Sequence, residues 1–291
     1  MGKSNKSLYV LSGLIILLGL VVSLTGLLYT NGGQAFDFIN QYGDTVKIYG
    51  NGLYARDSFF VAPIFRGSDF TILIMAIPML IIALVTDSKK KTIKSRLFLL
   101  SVISIFTYYS ASIVFGVTYN VLHLVYIAFF SVSLFGLIIA IDSMDRNTIK
   151  ASITGVLPLK GFNIFLGVTG VVLIAAWIPD ILQSLLTGKS LALIEIYTTS
   201  VTNVIDIGII GPIALMGIYQ LKKRSGMGYI LLGMLFTVCA IMGVMLPIQT
   251  LFQMAVGIVL PIPVLITKVG CFVILALFAL YFDIRLFRSI K

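Results

Sequence analysis

Residues 195–212 read EIYTTSVTNVIDIGIIGP. An acidic, hydroxyl-bearing run here enters a segment that otherwise has the composition of a membrane-spanning helix. Continued as a helix, Glu195, Thr199, Thr202 and Asp206 fall at steps of four, three and four on one face, while Val201, Ile205 and Ile209 fall elsewhere. A carboxylate near the middle of a bilayer costs roughly 2.5–3.5 kcal/mol on insertion scales. That face is therefore expected to meet other helices or a wet cavity, not lipid.

The surrounding chain supplies the membrane character. Its 291 residues are 59% hydrophobic and 11% charged, with mean hydropathy +1.07, which excludes a soluble domain. Apolar runs long enough to cross about 30 Å of hydrocarbon recur along the whole length. Eight are candidates: 8–30, 70–86, 97–117, 121–141, 162–177 with its continuation, 200–221, 227–246 and 264–284. The first is too long for the apolar core of a secretory signal and lacks a small-x-small cleavage site, so it is expected to be a mature span. The expected fold is all-α, a polytopic helical bundle of about eight spans, within a range of seven to nine. It forms a single transmembrane domain over residues 1–291 with an outer loop at 31–69.

A net charge of +10 would suit a nucleic-acid partner if the basic residues clustered on a soluble surface. They sit instead at alternate helix ends. Lys3, Lys6, Lys89, Lys90, Lys91, Lys94, Arg96, Arg146, Lys150, Lys160, Lys222, Lys223, Arg224, Arg285, Arg288 and Lys291 fall on one side. Only Lys47, Arg56, Arg66, Lys189 and Lys268 are left for the other. This positive-inside pattern places both termini in the cytoplasm of a cell-membrane protein, with anionic lipid rather than nucleic acid beside the basic loops. Cys239 and Cys271 stand singly inside apolar runs, as buried inert thiols do.

In the outer loop, GGQAFDFINQYG (32–43) suits a short helix in the interface, and Gly50-Asn51-Gly52 suits a tight hairpin between tyrosine-bearing arms. Arg66 and Asp69 are expected at the outer mouth of the second span, which Pro78 should kink. Tyr108, Tyr109 and Tyr126 fit an aromatic belt, and Asn120 and His123 lie near the same boundary. Asp142 and Asp145 resemble only weakly the spaced aspartates of prenyl transferases and read as a solvated helix end. Trp177 suits an interface, and Lys268 can snorkel or pair with a carboxylate. Asp69, Pro78 and Lys89–Lys91 find counterparts in Asp206, Pro212 and Lys222–Arg224, which admits a 4+4 parallel repeat with halves 1–145 and 161–291.

YGNGLYARDS (49–58), Asp69 with Pro78, YNVLHLVY (119–126) and EIYTTSVTNVID (195–206) with Pro212 together resemble a family of bacterial multi-pass membrane proteins to which no activity is attached. The resemblance implies a one-domain membrane protein, with Tyr54, Asp57, Asp69, Asn120, Glu195, Thr198, Thr199 and Asp206 at matching positions. Ser68 and His123 depart from its pattern.

A single histidine excludes a multi-histidine zinc site and bis-histidine haem, and neither a P-loop nor a G-x-S-x-G elbow is present. What remains is a collection of carboxylates, hydroxyls, amides and arginines. The leading expectation is a protein that binds or transports a cation, proton or polar small molecule through an outward-facing polar cavity. Asp206 and Glu195 would hold the ligand and Asp69 and His123 would assist, with Asn120, Thr199, Thr202, Asp57, Tyr54 and Arg66 as further candidates. One alternative is an enzyme acting on a lipid or lipid-linked substrate at the outer leaflet, with His123 and Glu195 as acid and base. Another is a structural or signalling subunit bound to a protein partner, its acids paired with Arg56, Arg66 and Lys268. The residues specify no cofactor and leave a metal open.

Overall fold

A computed structural model describes residues 3–291. Hydrocarbon offers no partner to backbone N–H and C=O groups, so apolar segments of this length satisfy them internally as helices. In chain order these are α1 (Lys3–Leu28), α2 (Ala62–Thr71), α3 (Ile77–Lys90), α4 (Ile93–Gly116), α5 (His123–Asp142), α6 (Arg146–Ser152), α7 (Leu159–Thr187), α8 (Val201–Ile205), α9 (Gly211–Lys222), α10 (Gly226–Ala255), α11 (Ile262–Val264) and α12 (Cys271–Ser289). A π turn at Ile72–Ala76 joins α2 to α3, and another at Asp206–Ile210 joins α8 to α9, giving two continuous rods. A third π turn, Leu265–Gly270, leads into α12.

Among the described residues seven helices are long and apolar enough to cross a membrane, the make-up of a multi-pass integral membrane protein. They are α1, the α2–α3 rod, α4, α5, α7, the α8–α9 rod and α10. The eighth candidate, α12, is not among them; it carries Asp283, Arg285 and Arg288. It nevertheless returns along α10: a Cβ on Gly243 would sit 1.9 Å from that of Ala276, so the two backbones meet closely through small residues.

The bundle has two unlike ends. At the basic end, Arg96 Nε donates to Asp87 Oδ2 at 2.8 Å with both side chains buried, and Tyr9 donates to the same carboxylate at 3.0 Å. A reciprocal Thr92–Ser95 capping box starts α4 beside this pair, and Arg96 reaches Ser143 at 3.1 Å, so α1, α3, α4 and the end of α5 are tied together. The C-terminus closes the same end, where Ile290 bridges Ile153. Helices α4 and α10 run through the middle of the bundle with most of their surface covered. Phe162 and Phe165 of α7 pack on Phe236 of α10 and Phe282 of α12, with centroids 5.2–5.8 Å apart.

The other end carries a polar cap, and here the structure corrects four expectations. GGQAFDFINQYG holds no helix: Phe36–Ile39 is strand β1, paired antiparallel with β2 (Thr45–Ile48) so that Phe36 faces Ile48. Gly50 and Gly52 do take positive φ (79° and 68°) and reverse the chain, but the return is a turn in which Ile48 bridges Ser58, and the β-hairpin itself lies earlier. The second span, the α2–α3 rod, also starts eight residues before the expected boundary, at Ala62 rather than Phe70. Arg66 and Asp69 are thereby helical residues, and Asp69 is wholly buried instead of lying at a mouth. Asp145, expected at a solvated helix end, caps α6 by accepting from Asn147 N at 2.9 Å. The side chain of Lys268 lies outside the described residues.

Candidate functional site

Each buried acid of the hairpin half has its own aromatic hydroxyl donors. Asp69 accepts from Tyr54 at 2.7 Å and from Tyr109, and α1 makes room at Gly26, where a Cβ would fall 1.9 Å from Asp69 Oδ2. Arg66, one turn earlier, donates to Tyr49 Oη at 2.8 Å and to the Leu27 carbonyl at 3.1 Å. These bonds fasten the cap to α1 and α2.

Asp57 is a second such centre, in the cap itself. Its Oδ1 accepts from the backbone of Thr118 at 2.9 Å and from Tyr197 at 3.0 Å, while the buried Oδ2 has no partner among the described residues. Burial pushes this carboxyl up to about 7, and the bonds from Thr118 and Tyr197 offset only part of that rise. The Tyr197 phenol, buried beside Asp57, is held well above its usual range and stays a donor. Asn40 Nδ2 and Gln41 Nε2 donate to the carbonyls of Glu195 (2.7 Å) and Tyr197 (3.0 Å), so the hairpin turn grips the loop at 194–200.

Asp206 is the third. It begins the π turn of the α8–α9 rod, is 6% exposed, and accepts from Tyr108 at 3.1 Å and Trp177 Nε1 at 3.0 Å. Tyr108 and Tyr109 are adjacent on α4, about 100° apart around its axis, and so turn to different acids, Asp206 and Asp69. Removing a carboxylate from water without donors would be costly, and these hydroxyls and the indole meet that need.

Two cavities border the loop that the cap holds. One, of 670 Å³, is a slot between α4, α5 and the α8–α9 rod, walled by Ala111, Phe115, Phe130, Leu134, Leu137, Val201, Ile205, Ile209 and Ile213, with Tyr108 at its side. Phe115, Val204 and Ile209 are exposed, so it opens on the flank of the bundle. The other, of 540 Å³, is a recess at the hairpin end walled by Tyr42, Ser184, Lys189, Ser190, Thr199, Ser200 and Asn203 among others. Thr198, Thr199 and Val204 border both.

The structure does not gather the sequence candidates into one carboxylate pocket. The helix begins at Val201, so Glu195 and Thr199 lie in the preceding loop and share no helical face with Asp206; Glu195 itself has φ +53°. Half-buried Glu195 is pushed upward by desolvation. Thr202 is exposed although Asp206 one turn later is buried. Asp69 and Tyr54 are bonded to each other, Asn120 donates to Tyr126 at 3.2 Å, and the His123 ring lies 5.2 Å from that of Tyr119. Among the described residues the one ion pair is Arg96–Asp87, and no cluster of His, Cys, Asp and Glu could hold a metal. Sequence reasoning did not single out Asn203 or Lys189, and read Tyr108 and Trp177 as belt residues; a buried amide one turn before Asp206 was the available signal. No family model, curated protein or solved structure matches the chain.

Proposed function

We propose that this membrane protein binds a membrane amphiphile, its hydrocarbon in the slot and its polar head in the recess, and that the hairpin end faces outward. The carrying observation is that an apolar slot and a recess bearing hydroxyls, an amide and a lysine adjoin one another, with Thr198, Thr199 and Val204 bordering both. A slot of 670 Å³ falls within the roughly 300–1,000 Å³ of small-molecule pockets. The recess presents hydroxyls, an amide and a lysine and no carboxylate, which favours a lipid or lipid-linked molecule over a free cation. The test is mass-spectrometric analysis of amphiphiles extracted from purified protein. Val204→Trp, at the exposed junction of the two cavities, should lower the bound amphiphile per chain, and an unchanged amount would remove this reading.

A second reading, a proton-binding site at Asp206, rests on a carboxylate whose hydrogen bonds come from Tyr108 and Trp177 and from no cation. Asp206→Asn should then lower proton release by the purified protein on a pH step by about one proton per chain. Identical release from the variant would end that reading.

A further inference from the structure

Residues 188–200, which join α7 to the α8–α9 rod, are held from outside more than from within. Among the described residues this loop makes two backbone bonds of its own, Ile194 N to Leu191 O at 3.0 Å and Tyr197 N to Ile194 O at 2.9 Å. Glu195 takes φ +53°, a left-handed conformation that residues other than glycine rarely adopt. The hairpin turn supplies further bonds, since Asn40 and Gln41 donate to the carbonyls of Glu195 and Tyr197. A segment with few bonds of its own and a strained residue opens more readily than the helices it joins.

The attachment that reaches the slot is Asp57. Its Oδ1 accepts from Tyr197 Oη at 3.0 Å and from Thr118 N at 2.9 Å. Its own backbone is fixed in the cap, donating to Tyr54 O and accepting from Tyr49 N, both at 2.9 Å. Thr118 lies in the turn between α4 and α5, two of the helices that wall the slot, and Tyr197 directly precedes Thr198 and Thr199, which line it. The end of α4 and the start of α8 meet there, where a Cβ on Gly116 would lie 3.8 Å from the side chain of Val201. One carboxylate oxygen therefore ties the α4–α5 turn to the loop at the cap end of the slot.

We infer that residues 194–200 are a strap across the cap end of the slot and that the Asp57–Tyr197 hydrogen bond is its catch, a step that rests on the amphiphile reading above. Thr198 and Thr199 border both slot and recess, so a guest with its chain in one and its head in the other lies across them. The chain enters the slot from its open flank, and the head then passes the strap to reach the recess. Releasing Tyr197 from Asp57 lets the strap rise, while Thr118 keeps its own bond to Asp57 and the α4–α5 turn stays in place. The catch thus sets how fast a guest is taken up and let go.

The test uses Tyr197→Phe, which removes only the hydroxyl of the catch, and Gln41→Ala, at an exposed position of the hairpin turn. Hydrogen exchange read by mass spectrometry on the full chain in detergent should show the peptide over 191–200 exchanging about three- to tenfold faster in Tyr197→Phe, the scale of one hydrogen bond. Gln41→Ala should shift the same peptide in the same direction, and peptides of α4 and α5 should exchange as in the wild type. Displacement of bound cis-parinaric acid, a fluorescent polyene fatty acid, by excess oleic acid should quicken by a similar factor in Tyr197→Phe. Exchange over 191–200 that is unchanged in Tyr197→Phe, or that quickens equally in α4 and α5, overturns the strap. A faster strap with displacement at the wild-type rate overturns its hold on the guest and leaves amphiphile binding standing. Failure of the wild-type chain to bind parinaric acid overturns both.

Discussion

Gly26 has no room for a methyl group, because the Asp69 carboxylate occupies the space that a Cβ would need. Gly26→Ala is expected to push Asp69 off Tyr54 and Tyr109 and to lower the Tm by roughly 3–10 °C, the scale of an overpacked core site, in a thermal melt of the detergent-solubilised protein. Asp57 makes a prediction in pH. Its folded-state value is raised to about 7, so the folded chain holds this proton more tightly than the unfolded one. The contribution to stability is then greatest below about pH 4, declines as the pH rises, and is gone above 7. Melts between pH 5 and 7.5 should show a falling Tm that flattens in Asp57→Asn; parallel curves for the two proteins would contradict this. At this scale the sequence disclosed that Asp206 must be sheltered, since its cost in lipid follows from composition alone. Its donors were hidden because Tyr108 and Trp177 come from α4 and α7, far along the chain, and carry no local sign of their pairing.

Two rods share a local construction that explains where the polar residues fall. In each, a five-residue π turn is followed by one residue and then a proline: Ile72–Ala76 before Pro78, and Asp206–Ile210 before Pro212. Proline has no N–H to return to the preceding turn, and the amide just before it reaches back five residues, Ile77 N to Ile72 O and Gly211 N to Asp206 O. The sequence comparison of the two segments found the prolines and the acids, and the common backbone device lies under the prolines. The spacing from acid to proline differs, nine residues for Asp69 and six for Asp206, so the two acids hold different places in it. The strands were harder to read. Phe36–Ile39 is exposed at every position and leaves no pattern of burial, so its apolar residues looked like an interfacial helix. Between α10 and α12 the contact is set by Gly243 on Ala276. Gly243→Leu should part these helices and cause a loss of folded protein in size-exclusion chromatography, whereas Cys271→Ser, at an exposed position, should elute as the wild type does.

At the scale of the whole molecule, the apolar runs located every long helix to within a few residues at most ends, because hydrocarbon length and backbone satisfaction leave the chain little choice. Helix order in space was not legible, and the cavities depend on it. The basic residues gather at the end where Asp87 pairs with Arg96 and Ile290 bridges Ile153. If that end is cytoplasmic, as the charge pattern predicts, single cysteines at Lys91 and Lys223 should be shielded from an impermeant maleimide added to intact cells, and one at Asn51 should react. The most direct measurement of the central claim is photolabelling in vesicles with a phospholipid carrying a diazirine in its acyl chain. Labels are predicted to concentrate in the peptides of α4, α5 and the α8–α9 rod that wall the slot. The equally apolar exposed face of α3 at Ile81, Ile82 and Val85, which meets only exchanging bulk lipid, should be labelled several-fold less. Labelling spread evenly over both faces would contradict it.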